Sequence, residues 1–181
     1  MHPFTRFSEV YGPGHDCRDP DNSEGYRGNL PDSLLEFWTE EKLCGYRDGM
    51  FWFVDPAEYV EVLDEWKVTG YTVFGRNGFA DLFLHSGEGA SLLNVHLGTV
   101  NHMRANFDAF INQSLTRESF MDDLLFRKIH TKAVAKLGRP AADECYAFVP
   151  ALALGGPGTV ETVQRVKLRE HLSILAQMHN R

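Results

Sequence analysis

Cysteine is scarce in this 181-residue chain: Cys17, Cys44 and Cys145 stand far apart, and no CxxC pair occurs. That excludes a zinc ribbon or a thioredoxin-like redox site. Cys44 and Cys145 sit among apolar neighbours and read as buried thiols, which fits a reducing compartment. Long apolar runs are missing too, and none approaches the ~20 residues a membrane span requires. The start, "MHPFTRFSEVYGPGHDCRDPD", has no basic stretch followed by an apolar one, so no signal peptide is visible and a cytoplasmic protein is expected. Cations are thin in the front half. Residues 1–100 hold 7 Lys+Arg against 17 Asp+Glu, a net of −10, whereas residues 101–181 hold 11 against 8, a net of +3. An acidic front argues against direct nucleic-acid binding, which needs clustered cations, and suits solubility or attraction to a basic partner.

The motifs of common chemistries are also absent. "FVPALALGGPGTVETVQ" has the layout of a phosphate loop, but no Lys follows Gly156 or Gly158, and Pro157 removes an N–H that a phosphate nest would use. The glycines therefore read as a structural turn into a final helix. The histidines (His2, His15, His85, His96, His102, His130, His171 and His179) are scattered, with no HExxH and no zinc-ligand spacing, so no metal site is expected. "GHDCRD" at Gly14 to Asp19 sets a His and a Cys side by side, but the neighbouring carboxylates would raise the thiol pKa rather than lower it. No catalytic residue and no cofactor site stands out. An enzyme using His171 or His96 as base is the remotest of the readings that stay open.

What is present is good core material. Apolar residues make up 43% of the chain and include thirteen Phe, enough to build a core without metals or disulfides. Residues 1–25 read as an irregular N-terminal arm with a short helix near Phe4 to Tyr11. "LPDSLLEFWTEEKLCGY" predicts a helix with Leu34, Leu35 and Trp38 inward and Gly45 as its stop. Asp48-Gly49 before the Phe51 to Val54 run predicts a hairpin. "DPAEYVEVLDEW" predicts a helix capped by Asp55, with Tyr59, Val62, Leu63 and Trp66 as its apolar stripe. From Tyr71 the period changes to 2, giving a meander of three or four strands broken at Arg76-Asn77-Gly78 and Ser86-Gly87-Glu88-Gly89. Helices return over 105–137, "CYAFVPALAL" reads as a strand interrupted at Pro150, and Leu168, Leu172, Leu175 and Met178 share the last helix face. The order predicts an α+β fold with a central, largely antiparallel sheet flanked by helices.

On the helix after Asp55, the carboxylates Asp55, Glu58, Glu61 and Glu65 are read together as one acidic face opposite the apolar stripe. As a binding surface they would complement a cationic protein.

The segments in combination resemble a known pair. "YRGNLPDSLLEFWTEEKLCGYRDGMFWFVDPAEYVEVLDEW" resembles the GAD-like domain, through Leu30-Pro31, Phe37-Trp38, Gly45, Asp48-Gly49, Trp52, Pro56 and Tyr59. "DECYAFVPALALGGPGTVETVQRVKLREHLSILAQM" is similar to the C-terminal domain that accompanies it, through Tyr146, Pro150-Ala151-Leu152 and Gly155-Gly156. One position departs: where the family has a glycine just before the strand carrying "DLFL", this chain has Ala80. The resemblance spans residues 26–179 and implies a GAD-like region over 26–100 joined to an immunity-protein region over 101–181, in a SUKH-like immunity architecture. It also implies function: an immunity protein that neutralises a cognate DNase effector of the type VI secretion system, without catalysis of its own. Asp55, Glu58, Glu61 and Glu65 would then be its partner-binding residues, with neither nucleic acid nor membrane as a direct partner. The alternative is a general protein-interaction or ligand-binding regulatory module with no nuclease partner. Nothing in the sequence sets the oligomeric state.

Overall fold

Alternating patterning in the middle of the chain builds the largest element, a seven-stranded sheet. The structure, a computed structural model, describes residues 3–87 and 89–180; His2 and Glu88, both singled out above, lie outside these. Strands β1 (His15–Arg18), β2 (Leu43–Tyr46), β3 (Phe51–Phe53), β4 (Thr72–Asn77), β5 (Leu82–Ser86), β6 (Gly89–Asn94) and β7 (Thr99–His102) follow one another across the sheet. Every neighbour pair is antiparallel, so the expected α+β class with an antiparallel sheet is what the chain forms.

Helix α1 (Thr5–Tyr11) and α2 (Asp32–Glu41) cover one face of this sheet. They are joined there by α4 (Phe107–Ala109), which runs on into a π-turn at Phe110–Ser114, and by α5 (Glu118–Leu124). Against the other face lies α3 (Val60–Glu65), entered through a 3-10 turn at Pro56–Tyr59. The chain then forms α6 (Arg127–Leu137), a separate two-stranded sheet of β8 (Glu144–Phe148) and β9 (Val163–Lys167), and α7 (Leu168–His179), which packs on α3.

Several expectations are corrected. The N-terminal segment is no loose arm. Phe4, Phe7 and Tyr11 are buried, Phe7 stacks on Tyr11 with ring centroids 4.3 Å apart, and β1 pairs with β2. That pairing sets Cys17 beside Cys44, and the two form a disulfide with Cα atoms 4.2 Å apart; of the three cysteines only Cys145 is a free, buried thiol. Gly45 does not end α2. Lys42 does so, at φ 67°, and Gly45 lies within β2. Arg76 and Asn77 belong to strand β4 rather than to the turn that follows it. The Gly155 to Gly158 run leads into a 3-10 turn at Val160–Thr162 and then β9, so a strand stands between the glycines and the final helix.

The tight turn between β4 and β5 joins the two halves of the molecule. Asn77 Oδ1 accepts from the N–H groups of Phe79 and Asp81, and its Nδ2 donates to Asp81 Oδ2 and to the Leu124 carbonyl. Asp81 in turn accepts from Val95 N–H at 2.8 Å. Phe79 then packs among Phe126, Tyr146 and Phe148, and the Tyr146 N–H donates to the Gly78 carbonyl at 2.8 Å. Buried polar groups arranged this way are fully paired, which is what permits their burial.

Candidate functional site

One row of residues crosses the first four strands on the face toward α3 and α7. Register places His15 opposite Gly45, Gly45 opposite Trp52, and Trp52 opposite Arg76. Gly45 is required here for space. A Cβ on it would stand 2.5 Å from His15 Cε1 and 2.8 Å from the Trp52 ring, so its absence lets the imidazole meet the indole edge-on at 5.1 Å. On the far side of Trp52 the Arg76 guanidinium lies 4.8 Å above the indole ring. Trp52 is held in turn by donating its Nε1–H to the Gly49 carbonyl at 3.1 Å.

Above this row is a cavity of about 540 Å³ between the sheet and the C-terminal half. Trp52, Val54, Tyr59 and Val62 line it from one side, and Leu168 and Leu172 of α7 from the other. Burial pushes the Tyr59 hydroxyl up to about 12, so it stays a neutral phenol. The mouth carries charges in balanced pairs: Arg18 with Glu58 at 2.6 Å, and Lys167 with Asp143 at 2.5 Å.

The four carboxylates expected to form one acidic face are dispersed. Asp55 is fully buried, which corrects its place on that face. It is an N-cap whose Oδ1 accepts from Ala57 N–H at 3.1 Å, while Oδ2 accepts from Asp21 N–H at 2.8 Å; the Tyr26 hydroxyl donates to it as well. Burial alone would raise its pKa, but these donors hold the carboxyl below its usual value. Glu65 accepts from Arg169 at 2.5 Å and from Ser173 at 2.7 Å, and these bonds lower its pKa to about 2. Glu58 is tied to Arg18 at the cavity mouth. Glu61 is the most exposed of the four, its side chain 87% accessible, with Arg169 at 3.7 Å.

Of the histidines, His96 and His130 are core residues and His171 is half-buried. His96, His130 and His171 have their pKa values lowered to about 4, mainly by burial, so they are neutral at pH 7. His96 packs edge-on against Phe126 and Phe148. Among the described residues, no group of three or more His, Cys, Asp or Glu could hold a metal ion. Nor is any helix there long and apolar enough to cross a membrane. Sequence reasoning missed Arg76 and the cavity. The sequence signal was a single arginine inside the "TVFGRN" strand and a lone Trp between phenylalanines in "FWF"; only the β3–β4 register, which pairs the two directly, gives them meaning together.

Comparison with known proteins adds family to geometry. The protein "Crystal structure of Atu4351 from Agrobacterium tumefaciens" superimposes with a TM-score of 0.78 over 96% of this chain and 88% of that one; at 18% identity it is similar in fold alone. No curated protein matches the sequence. The GAD-like match begins ahead of Tyr26 and takes in β1 and Cys17. Residues 12–98 match the family model described as "GAD-like domain", and residues 104–179 match the one described as "T6SS immunity protein Tdi1, C-terminal".

Proposed function

We propose that this protein binds a cognate DNase effector of the type VI secretion system and neutralises it by occluding or distorting the nuclease site. The observation that supports this most directly is the match of residues 104–179 to the C-terminal domain of the T6SS immunity protein Tdi1. On this reading the protein is a stoichiometric inhibitor and not an enzyme, with a GAD-like region up to about residue 100 and an immunity region beyond. Its place of action is the cytoplasm, where an incoming DNase meets the chromosome. In that reducing compartment the Cys17–Cys44 pair would be opened to thiols, so the fold has to persist without the bond.

A nuclease that handles DNA presents cations around its cleft, and the acidic front half of this chain complements such a surface. Of the four carboxylates expected to contact the partner, Glu61 is the most exposed, Glu58 is at the surface but paired with Arg18, Glu65 is shared with Arg169, and Asp55 is a structural cap. The deciding experiment mixes a candidate DNase domain with the purified chain and follows plasmid degradation. Inhibition saturating at one chain per nuclease is expected; full degradation at excess chain would remove the reading. Glu61→Gln tests the surface separately. Slower association with a flatter salt dependence is expected in kinetic binding traces, and unchanged traces would exclude this helix from the interface.

A further inference from the structure

The Arg76 guanidinium is 1% exposed, and among the described residues no carboxylate lies within ion-pair distance of it. Nη1 donates to its neighbour Asn77's carbonyl at 3.3 Å and Nη2 to the Ala142 carbonyl at 2.9 Å. Tyr59 offers its phenol oxygen as a further acceptor. These partners satisfy N–H groups, but none of them carries a charge. The Trp52 ring face offsets part of the charge, but a buried cation without an anionic partner remains costly, and an arginine has five N–H donors to satisfy. The acids nearest the cavity make their contacts elsewhere: Glu58 is ion-paired with Arg18 and Asp143 with Lys167, and Asp143 acts on Arg76 only from beyond contact distance.

We propose that this cavity is a binding site for a small organic acid, its carboxylate at the Arg76 guanidinium and its apolar body against Tyr59, Val62, Leu168 and Leu172. The volume of about 540 Å³ is of the size that holds small ligands. The lining suits such a molecule: apolar walls deep in the cavity, and four cations of which Arg18, Lys167 and Arg169 are held in ion pairs while the buried Arg76 has no anionic partner. The mouth selects for it as well. Its carboxylates Asp16, Glu58 and Asp143 are each ion-paired, with Arg139, Arg18 and Lys167, so the rim carries little net field to attract a polyanion such as a nucleic-acid backbone. Because the walls come from both the GAD-like sheet and α7, a bound acid would fix the two halves against each other. The site does not depend on the DNase reading, since it is tested on the isolated chain.

The test follows the indole N–H resonances of the full chain while benzoate, phenylacetate and hexanoate are titrated in parallel with benzamide and benzyl alcohol. The Trp52 signal is identified by its loss in Trp52→Phe. Saturable movement of that signal by the acids is expected, with the neutral analogues at least about tenfold weaker, the penalty for leaving the cation unpaired. Arg76→Met should abolish the preference for acids. Should that variant fail to fold, Val62→Phe keeps Arg76 and fills the walls, and it should weaken the acids and neutral analogues alike. Equal binding of acids and neutral analogues would overturn the proposal, as would no saturable response up to about 10 mM, a concentration beyond any useful affinity. A Trp52 response to a nuclease domain but to none of the acids would make the cavity a socket for a protein partner, and that too would overturn it.

Discussion

On one face of the seven-stranded sheet, Phe51, Phe53, Phe74 and Phe83 meet Phe7, Phe37, Phe107 and Phe110 at ring-centroid distances between 5.0 and 6.4 Å. On the other, Trp52, Leu82 and Leu84 share their surroundings with a buried guanidinium and a cavity. The same strands build both faces, because side chains alternate along each strand. The first face is filled by rings and has no room to change. The second leaves space and a buried charge with no anionic partner, both of which cost stability, and this is the pattern expected where a surface is kept for binding rather than for folding. The buried histidines and Asp81 also lie away from the aromatic face, around the turn and helices that carry the C-terminal half.

The largest effect that can break this comparison is a matched pair of truncations. Leu34→Ala on the aromatic side, where the residue is fully buried, should cost about 4–5 kcal/mol, near the top of the range for buried leucines. Leu172→Ala, at the cavity wall, should cost about 2–3 kcal/mol, because a side chain that already borders empty space has fewer dispersion contacts to lose. Urea midpoints for the two variants decide it. Equal costs would mean that the second face is packed as tightly as the first.

Opening the disulfide ranks next. The bond joins residues 27 apart in sequence, and closing a loop of that order stabilises by about 3.5 kcal/mol. Melting curves with and without reductant should differ accordingly, with Cys17→Ser matching the reduced wild-type chain. Since β1 supplies His15 to the row over Trp52, and Arg18 to the cavity mouth, hydrogen exchange should rise first in β1 and β2. A uniform rise over α2 as well would show that the disulfide guards the whole fold.

Acid should also act unevenly. His96, His130 and His171 have folded pKa values of about 4 against an ordinary 6.5, so between those values the unfolded chain binds more protons. Their contribution is complete above pH 6.5 and is lost as pH falls toward 4. Asp81 works the other way: burial raises its pKa from 3.8 to about 7, so stability is lost to it as pH rises through that interval. Three groups against one leave stability rising with pH from 4 to 6.5. Denaturation midpoints across this range should show it, and His130→Phe should flatten the slope while Asp81→Asn steepens it. A slope unchanged in both variants would sink the account.

How much of this was legible beforehand depends on the length of each periodic run. The β4–β7 meander and the Asp48-Gly49 hairpin could be read because period 2 and a turn signal agree there. β1 could not, since four residues between Gly14 and Asp19 carry no usable period and take their conformation from β2 and the disulfide. β9 was hidden because Val163 and Val166 are three apart, which suits a helix as well as a strand with one side exposed. The acidic face was misdrawn for a geometric reason. Asp55 is the N-cap of the 3-10 turn at Pro56–Tyr59, with an extended backbone (φ −76°, ψ 121°), so it lies outside the helical period and its carboxylate turns back onto Ala57, Asp21 and Tyr26. Arg76 could not be found as a site residue because a charge inside a strand acquires meaning only when register sets it over Trp52.

The smallest effect bears on the turn that joins the two regions. Ala80 occupies the position where the resemblance calls for glycine, and it holds φ at 75° while fully buried. A Cβ in the left-handed region costs about 1–2 kcal/mol, whereas a glycine there gives back about 0.5–1 kcal/mol through the greater freedom of the unfolded chain. Ala80→Gly should therefore stabilise the protein by about 0.5 kcal/mol, read as a small rise in the urea midpoint at unchanged slope. Destabilisation would mean that the methyl group contributes packing at the turn worth more than the strain it imposes. Asn77 and Asp81 would then hold a turn shaped around alanine, and the departure from the family pattern would be an adaptation of this junction rather than a tolerated cost.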